Sequence, residues 1–336
     1  MSEARELLEI ADLQVQYPVR TGTIRGVDHV DLTVCRGETL GLVGESACGK
    51  STMGRAIMRL VSEPGKIVGG EIRFNSQDLM QKSEREMTQI RGRDISMIFQ
   101  DPMTSLNPLQ RVDEHLIETI RTHERDTNKR TARERAGEMF DRLGIQRERL
   151  MDYPHQLSGG MRQRVMIGLA LILNSQLVIA DEPTTSLDVI VEAQILDLIK
   201  ELKDAYHMTL ILISHNLGIV AELADRLAVM YAGKLVEVAP ALALFDTPLH
   251  PYTQGLLSSV PNIRLDDQAL RTMDGAPPDL IHPPPGCRFH PRCPEAMERC
   301  RREDPPYRQV ADGRWVACWL HEGVQEQMVR GRGDAL

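Results

Sequence analysis

The sequence predicts an α/β fold wound around a phosphate-binding loop, and three observations point to it. First, Thr39-Leu40-Gly41-Leu42-Val43 is an apolar run that reads as a buried strand. It leads into Gly44-Glu45-Ser46-Ala47-Cys48-Gly49-Lys50-Ser51-Thr52, and Met53 to Leu60 then reads as a helix. Strand, glycine loop and helix in this order are the context a phosphate loop needs. Second, further short apolar runs end in polar or acidic residues: Leu177 to Ala180 before Asp181-Glu182, and Thr209 to Ile213 before Ser214-His215. In a parallel sheet, ligands bind beyond the carboxyl ends of such strands. Third, the apolar spacing changes near Val112 from strand-like to helical, so a helical block interrupts the α/β pattern.

In chain order, Leu7 to Gln16 alternates as a strand ending at Tyr17-Pro18, and Val30 to Val34 is a second strand that meets the turn Arg36-Gly37-Glu38. Glu71 to Phe74 reads as a strand with Asn75-Ser76 as its turn. Ile95 to Phe99 reads as a buried strand stopped by Gln100-Asp101-Pro102. Val112 to Arg121 and Thr131 to Leu143 read as charged helices, with Gly144 placed for a left-handed C-terminal cap. Leu157-Ser158-Gly159-Gly160 opens a helix over Met161 to Leu173. Val191, Ile195, Leu198, Ile199 and Leu202 share one helical face. Arg226 to Tyr231 and Lys234 to Val238 flank the turn Ala232-Gly233 as a hairpin. Beyond Ala239 the character shifts. His250-Pro251-Tyr252-Thr253 introduces a short helix to Leu257, and the proline-rich stretch from Gly275 to Gly286 reads as a linker. Cys287 to Cys318 is a compact module with four of the six cysteines.

Bulk properties narrow the function classes. The 336 residues suffice for one large domain and a smaller one. A net charge of −8 gives no bulk pull toward nucleic acid. No apolar run reaches the length of a membrane span, and the acidic stretch from Met1 to Glu9 lacks a signal-peptide core, so a cytosolic chain is expected. In that compartment the cysteines are expected as thiols or metal ligands, not disulfides.

The loop's chemistry follows from its residue types. Inward-turned backbone N–H groups make an anion nest, and the following helix adds its positive dipole end. Lys50 is expected to bind the β- and γ-phosphates and Ser51 to ligand Mg²⁺. Asp181 can hold Mg²⁺ through water, which leaves Glu182 to polarise an attacking water as general base. Cys48 lies beside Lys50 and near a helix N-terminus, both of which favour a reactive thiolate. Cys35 is expected to pack as a small apolar residue.

Gly44 to Ser51, Gln100, Leu157-Ser158-Gly159-Gly160-Met161-Arg162-Gln163, Leu177 to Glu182, Ser186-Leu187-Asp188 and His215 stand in one order along the chain. That order resembles the ATPase cassettes of ABC transporters, from about Leu7 to Val238. The resemblance implies a P-loop nucleotide-binding domain with an antiparallel β subdomain over residues 1–255, its helical subdomain covering about 101–173, followed by a C-terminal extension over 256–336. It implies that Tyr17 stacks on adenine. Gln100 would reach Mg²⁺ and the attacking water and couple to membrane subunits. Ser158, Gly159 and Gly160 would face the γ-phosphate of ATP held by an opposite cassette, and Asp188 would sit at the dimer seam. His215 would contact the γ-phosphate and hold Glu182.

Gln100-Asp101-Pro102-Met103-Thr104-Ser105-Leu106-Asn107-Pro108, Met161 in the signature, His250-Pro251-Tyr252-Thr253 and Cys287 to Cys318 resemble one group more closely: ATPase subunits of oligopeptide, dipeptide and nickel importers. Such a subunit works at the cytoplasmic face of the membrane as a peripheral protein. Its partners are a second, often non-identical ATPase, two membrane permease subunits and an extracytoplasmic solute-binding protein, with no nucleic acid. Two rival functions are a soluble ABC-type ATPase acting on nucleic acid or the ribosome, and an iron- or redox-sensing regulatory ATPase. The first is disfavoured by the absence of a fused second cassette and of a basic stripe.

The spacing Cys287-x5-Cys293-x6-Cys300-x17-Cys318 lacks the close pairs that structural zinc favours. Four thiolates can hold a [4Fe–4S] cluster, and the resembled group's C-terminal module is associated with one; zinc and four unligated thiols stand as alternatives. The segment is proline-rich and poor in apolar residues, so a staple is expected to order it. Three residues depart from the group's pattern: Ala47 replaces a glycine, Asn216 an aspartate, and Trp319 a histidine. A positive φ at Ala47 would cost its Cβ about 1–2 kcal/mol.

Overall fold

The computed structural model describes residues 6–101, 105–185, 187–259 and 273–322. These fall into two compact units, one built on Cys35–Thr39 and Gln77–Ile213, the other on Leu8–Val34, Leu40–Ser76 and the residues from Ser214 onward. The strands are β1 (Glu6–Val19), β2 (Gly22–Cys35), β3 (Thr39–Val43), β4 (Lys66–Phe74), β5 (Gln77–Asp78), β6 (Ile95–Ile98), β7 (Leu177–Asp181), β8 (Thr209–Ile213), β9 (Arg226–Tyr231), β10 (Lys234–Pro240), β11 (Arg308–Ala311) and β12 (Arg314–Val316).

In the first unit the strand order is β8-β7-β6. The strands run parallel, with Leu177 opposite Thr209 and Ile95 opposite Leu177. Every residue of the three is buried. Burial on both faces explains their continuous apolar runs, since a one-sided strand would alternate. The helical block supplies Val112–His123, Lys129–Arg142 and Gly159–Leu171. Buried Leu116 and Ile120, and Ala132, Ala136 and Phe140, recur at four-residue steps and make the apolar stripe that packs. Asn128 caps the second of these helices, accepting from Thr131 N at 2.9 Å. Gly144 lies at φ 65°, the left-handed conformation expected of a helix stop.

In the second unit β1 pairs antiparallel with β4, and their register shifts between Ala11 and Gln14. A second run of strands is ordered β11-β12-β10-β9-β3. β3 lies parallel to β9, from Leu40 opposite Arg226 to Val43 opposite Val229. β9 and β10 close through Ala232 and Gly233, at φ 49° and 85°. Positive φ at both central residues is what a type I′ hairpin turn requires. The β11–β12 hairpin then joins β10 antiparallel, with Glu237 opposite Val316 and Val238 opposite Trp315. Residues 275–286 form no helix or strand.

Several elements start or run further than the sequence suggests. The helix after the glycine loop begins at Lys50, not Met53, because Gly49 serves as its N-cap. The helix after the Ser-Gly-Gly stretch begins at Gly159, because Ser158 caps it by accepting from Met161 N at 3.2 Å. Among the described residues no helix is long and apolar enough to cross a membrane.

Candidate functional site

The second unit holds the loop. β3 ends at Val43 and the helix Lys50–Ile57 starts six residues after Gly44, so the loop's N–H groups are gathered at a helix N-terminus. Gly49 has φ 112°, and a Cβ there would stand 2.2 Å from Gly26 O, so only glycine fits. Lys50, 5% exposed, donates from Nζ to Gly44 O at 2.8 Å and to Glu45 O at 3.0 Å. Its ammonium is thereby fixed over the loop, while Ser46 and Ala47 stand exposed and Ser51 and Thr52 half-buried on the first helical turn. Ala47 has φ 63°, so the strain expected of a Cβ in this loop is present.

Cys48 departs from expectation. Its side chain is buried, and burial pushes the thiol up; the Lys50 ammonium only partly opposes this. The thiolate expected from Lys50 and the helix dipole is thus overruled by desolvation, the largest effect on a group taken out of water. Tyr17 reaches the helix start, its OH 3.3 Å from Thr52 Oγ1. Its ring packs on Gly26 and Gly65, where added Cβ atoms would stand 3.0 and 2.4 Å from it. His215 is exposed, following Ser214, whose N–H donates to Leu42 O at 3.3 Å. That bond sets the His215 segment beside the strand that enters the loop.

The first unit brings another group together. Asp181 is buried at the end of β7, and Glu182 follows at φ 47°. A left-handed non-glycine residue costs about 1–3 kcal/mol and persists only where its surroundings hold it. They do: Glu182 N donates to Ile213 O at 2.9 Å, while its Oε2 accepts from Gln100 Nε2 at 2.8 Å and Thr185 Oγ1 at 3.0 Å. Gly160 sits against the next helix, where a Cβ would meet Val191 at 2.8 Å; Gly159 has more room, its nearest neighbour Leu187 at 3.8 Å. Asp188 caps the helix Val189–Tyr206, accepting from Val191 N at 3.0 Å. Beside it Val189 and Ile190 are 78% and 72% exposed, an apolar pair left facing outward. Pro102, Met103, Thr104 and Ser186 lie outside the described residues.

Sequence reasoning missed two residues. Arg292 grips Glu45 of the loop with two bonds, Nη1 to Oε2 at 2.8 Å and Nη2 to Oε1 at 2.9 Å. Tyr252 OH accepts from Glu45 N at 2.9 Å. Separations of 247 and 207 residues leave no local signal for either contact.

Cys287, Cys293, Cys300 and Cys318 line one small cavity with Phe289 and Trp319. All four are free thiols. Burial, with the neighbouring cysteines adding to it, pushes Cys287 up to about 12 and Cys318 up to about 11. Among the described residues, no group of three or more His, Cys, Asp or Glu side chains is placed to hold a metal ion.

Comparison with known proteins gives matches whose span includes the loop and the acidic strand end. The ABC transporter family profile matches residues 27–185, and the profile of the oligopeptide/dipeptide transporter C-terminal region matches residues 236–300. The chain is 46% identical to the dipeptide transport ATP-binding protein DppD of Bacillus subtilis (strain 168), over 98% of this chain and 99% of that one. It is 45% identical to DppD of Escherichia coli (strain K12), over 93% and 96%. Among solved structures, it resembles a dimeric ATP-binding cassette in a post-hydrolysis state bound to ADP and Pi. That match has a TM-score of 0.64 and 26% identity, and covers 70% of this chain and 99% of that one.

Proposed function

Since the chain belongs to the ABC transporter family, among the oligopeptide and dipeptide transport ATP-binding proteins, we propose that it is the ATP-hydrolysing subunit of an importer for di- or oligopeptides. The single observation that carries this reading is near-full-length identity to DppD proteins, joined to a phosphate loop whose lysine is already fixed over it. ATP and Mg²⁺ are typical of such ATPases.

The residue roles follow from chemistry. The loop from Gly44 to Thr52 cradles the phosphates, with Lys50 on the β- and γ-phosphates and Tyr17 against the base. Ser51, Gln100 and Asp181 would supply the oxygen ligands for Mg²⁺. Glu182 takes the proton of the attacking water as Gln100 orients it, and His215 stabilises the γ-phosphate. Ser158, Gly159 and Gly160 complete the site of an opposing cassette from a helix N-terminus, with Asp188 and the exposed Val189-Ile190 pair at the seam. ATP clamps the two cassettes together, closure moves two permease subunits, and hydrolysis resets them. The working place is the cytoplasmic face of the membrane, with solute delivered by an extracytoplasmic binding protein. Residues 1–255 form the ATPase domain and 256–336 its extension.

For the four thiols we propose a [4Fe–4S] cluster, with zinc as the alternative, because their spacing lacks the close pairs that structural zinc favours. All four line one cavity, which supports the reading, and they would supply the four thiolates such a cluster needs. Such a cluster would serve as a covalent staple for this segment.

Affinity capture of the chain from solubilised membranes tests the function. Co-purification of permease subunits, with ATPase activity stimulated by peptide-loaded binding protein, is expected. Capture of ribosomes or DNA instead would overturn it.

A further inference from the structure

Glu45 is held at three points. Its N–H donates to Tyr252 OH at 2.9 Å, its carbonyl accepts from Lys50 Nζ at 3.0 Å, and its carboxylate takes both arms of Arg292 at 2.8 and 2.9 Å. Arg292 is itself locked. Its side chain is 6% exposed, its Nε donates to Asp274 O at 3.1 Å, and its guanidinium lies 5.8 Å from the ring centre of Tyr231 and 6.0 Å from that of Phe289. A fork with every arm engaged against aromatic faces is a rigid clamp, not a solvated surface pair. Its partner carboxylate belongs to the loop that receives a polyanion, where an unpaired negative charge would repel the phosphates.

We propose that Arg292, in the cysteine segment, is a positioning residue for the phosphate loop. It neutralises Glu45 and holds the Glu45 carbonyl against Lys50, so the C-terminal segment sets the affinity for nucleotide. This rests on the reading that the loop binds MgATP.

The test is calorimetric binding of MgATP to the full-length chain, with melting temperature recorded for each variant. Arg292→Ala is expected to weaken binding roughly tenfold, the size of one uncompensated charge near a triphosphate at intermediate dielectric. The loss should shrink as salt rises. Arg292→Lys keeps the charge and loses the fork, so its loss should be smaller, about threefold. Glu45→Gln in the Arg292→Ala chain should recover most of the affinity, because it removes the charge left unpaired. A merely structural arginine would give a double variant as weak as Arg292→Ala or weaker. Glu45→Gln alone should tighten binding at low salt by leaving Arg292 uncompensated, which keeps the proposal decidable should Arg292→Ala not fold. Wild-type binding with no response to Arg292→Ala, or no recovery in the double variant, overturns the proposal alone. Failure of the wild type to bind MgATP overturns the functional reading beneath it.

Discussion

The side-chain amide of Gln100 donates to Glu182 Oε2 at 2.8 Å, tying the residue two beyond β6 to the residue just beyond β7. Because the two strands are parallel neighbours, their carboxyl ends open on the same side. The pair therefore presents an orienting amide and a carboxylate together.

Glu182→Gln should keep both hydrogen bonds available in shape while removing the base. ATP binding is expected to persist and turnover to fall by about 10²–10⁴, with an ATP-bound cassette dimer accumulating. Steady-state hydrolysis in the assembled complex checks this, and near-normal rates would remove Glu182 from the role of base.

Gln100→Ala removes one side-chain donor from Glu182 and keeps the Thr185 hydroxyl bond. Turnover should drop about tenfold, and the loss should nearly vanish in a Glu182→Gln background, since two residues that act through one contact are not additive. Additive losses in the double variant would separate the two functions.

Ala47→Gly relieves a Cβ at φ 63°. The relief of about 1–2 kcal/mol is offset by about 0.4–1 kcal/mol of added unfolded-state entropy. A net gain between about zero and about 1.6 kcal/mol is expected, read as a higher denaturant midpoint at unchanged slope. A lower midpoint would show that the methyl group is needed.

Cys48 should resist alkylation in the native chain. Burial raises its thiol and hides the sulfur, so labelling should run about tenfold or more slower than in the denatured chain. Peptide mass spectrometry of native and denatured samples, with Cys48→Ser as control, measures it. Equal rates would restore the thiolate reading.

Protein purified without oxygen should be brown and carry about four irons and four sulfides per chain, the [4Fe–4S] stoichiometry. Replacing any one of Cys287, Cys293, Cys300 or Cys318 by Ser should lower the iron content. Colourless protein with one tightly bound zinc would exclude the cluster.

Much of this fold is legible because local chemistry decides it. Thr209 to Ile213 is apolar throughout and becomes a fully buried strand, and Ala232-Gly233 supplies the turn that β9 and β10 need. The loop and the strand ends that carry acids are legible for the same reason. Long-range contacts are not. Nothing near Glu45 announces Arg292, and nothing in Arg314 to Val316 announces β10 as its partner. The burial of Cys48 is equally hidden, since Lys50 and the helix start beside it both point to a charged thiolate. Only the surrounding packing reverses the sign.

The pairing of β12 with β10 has a practical consequence for anyone shortening the chain. A fragment that stops before residue 308 would strip β10 of its neighbour on the β12 side and uncover the backbone donors and acceptors opposite Val316 and Trp315. It would also remove Arg288, which is buried against Asp28 and Ala232 O, if cut before Gly286. A newly exposed strand edge is a template for another copy. A trimmed cassette made for crystallisation should therefore self-associate through β10 and scatter light at concentrations where the full chain stays clear. A lysine at a β10 position facing solvent after the cut would be the repair to try first.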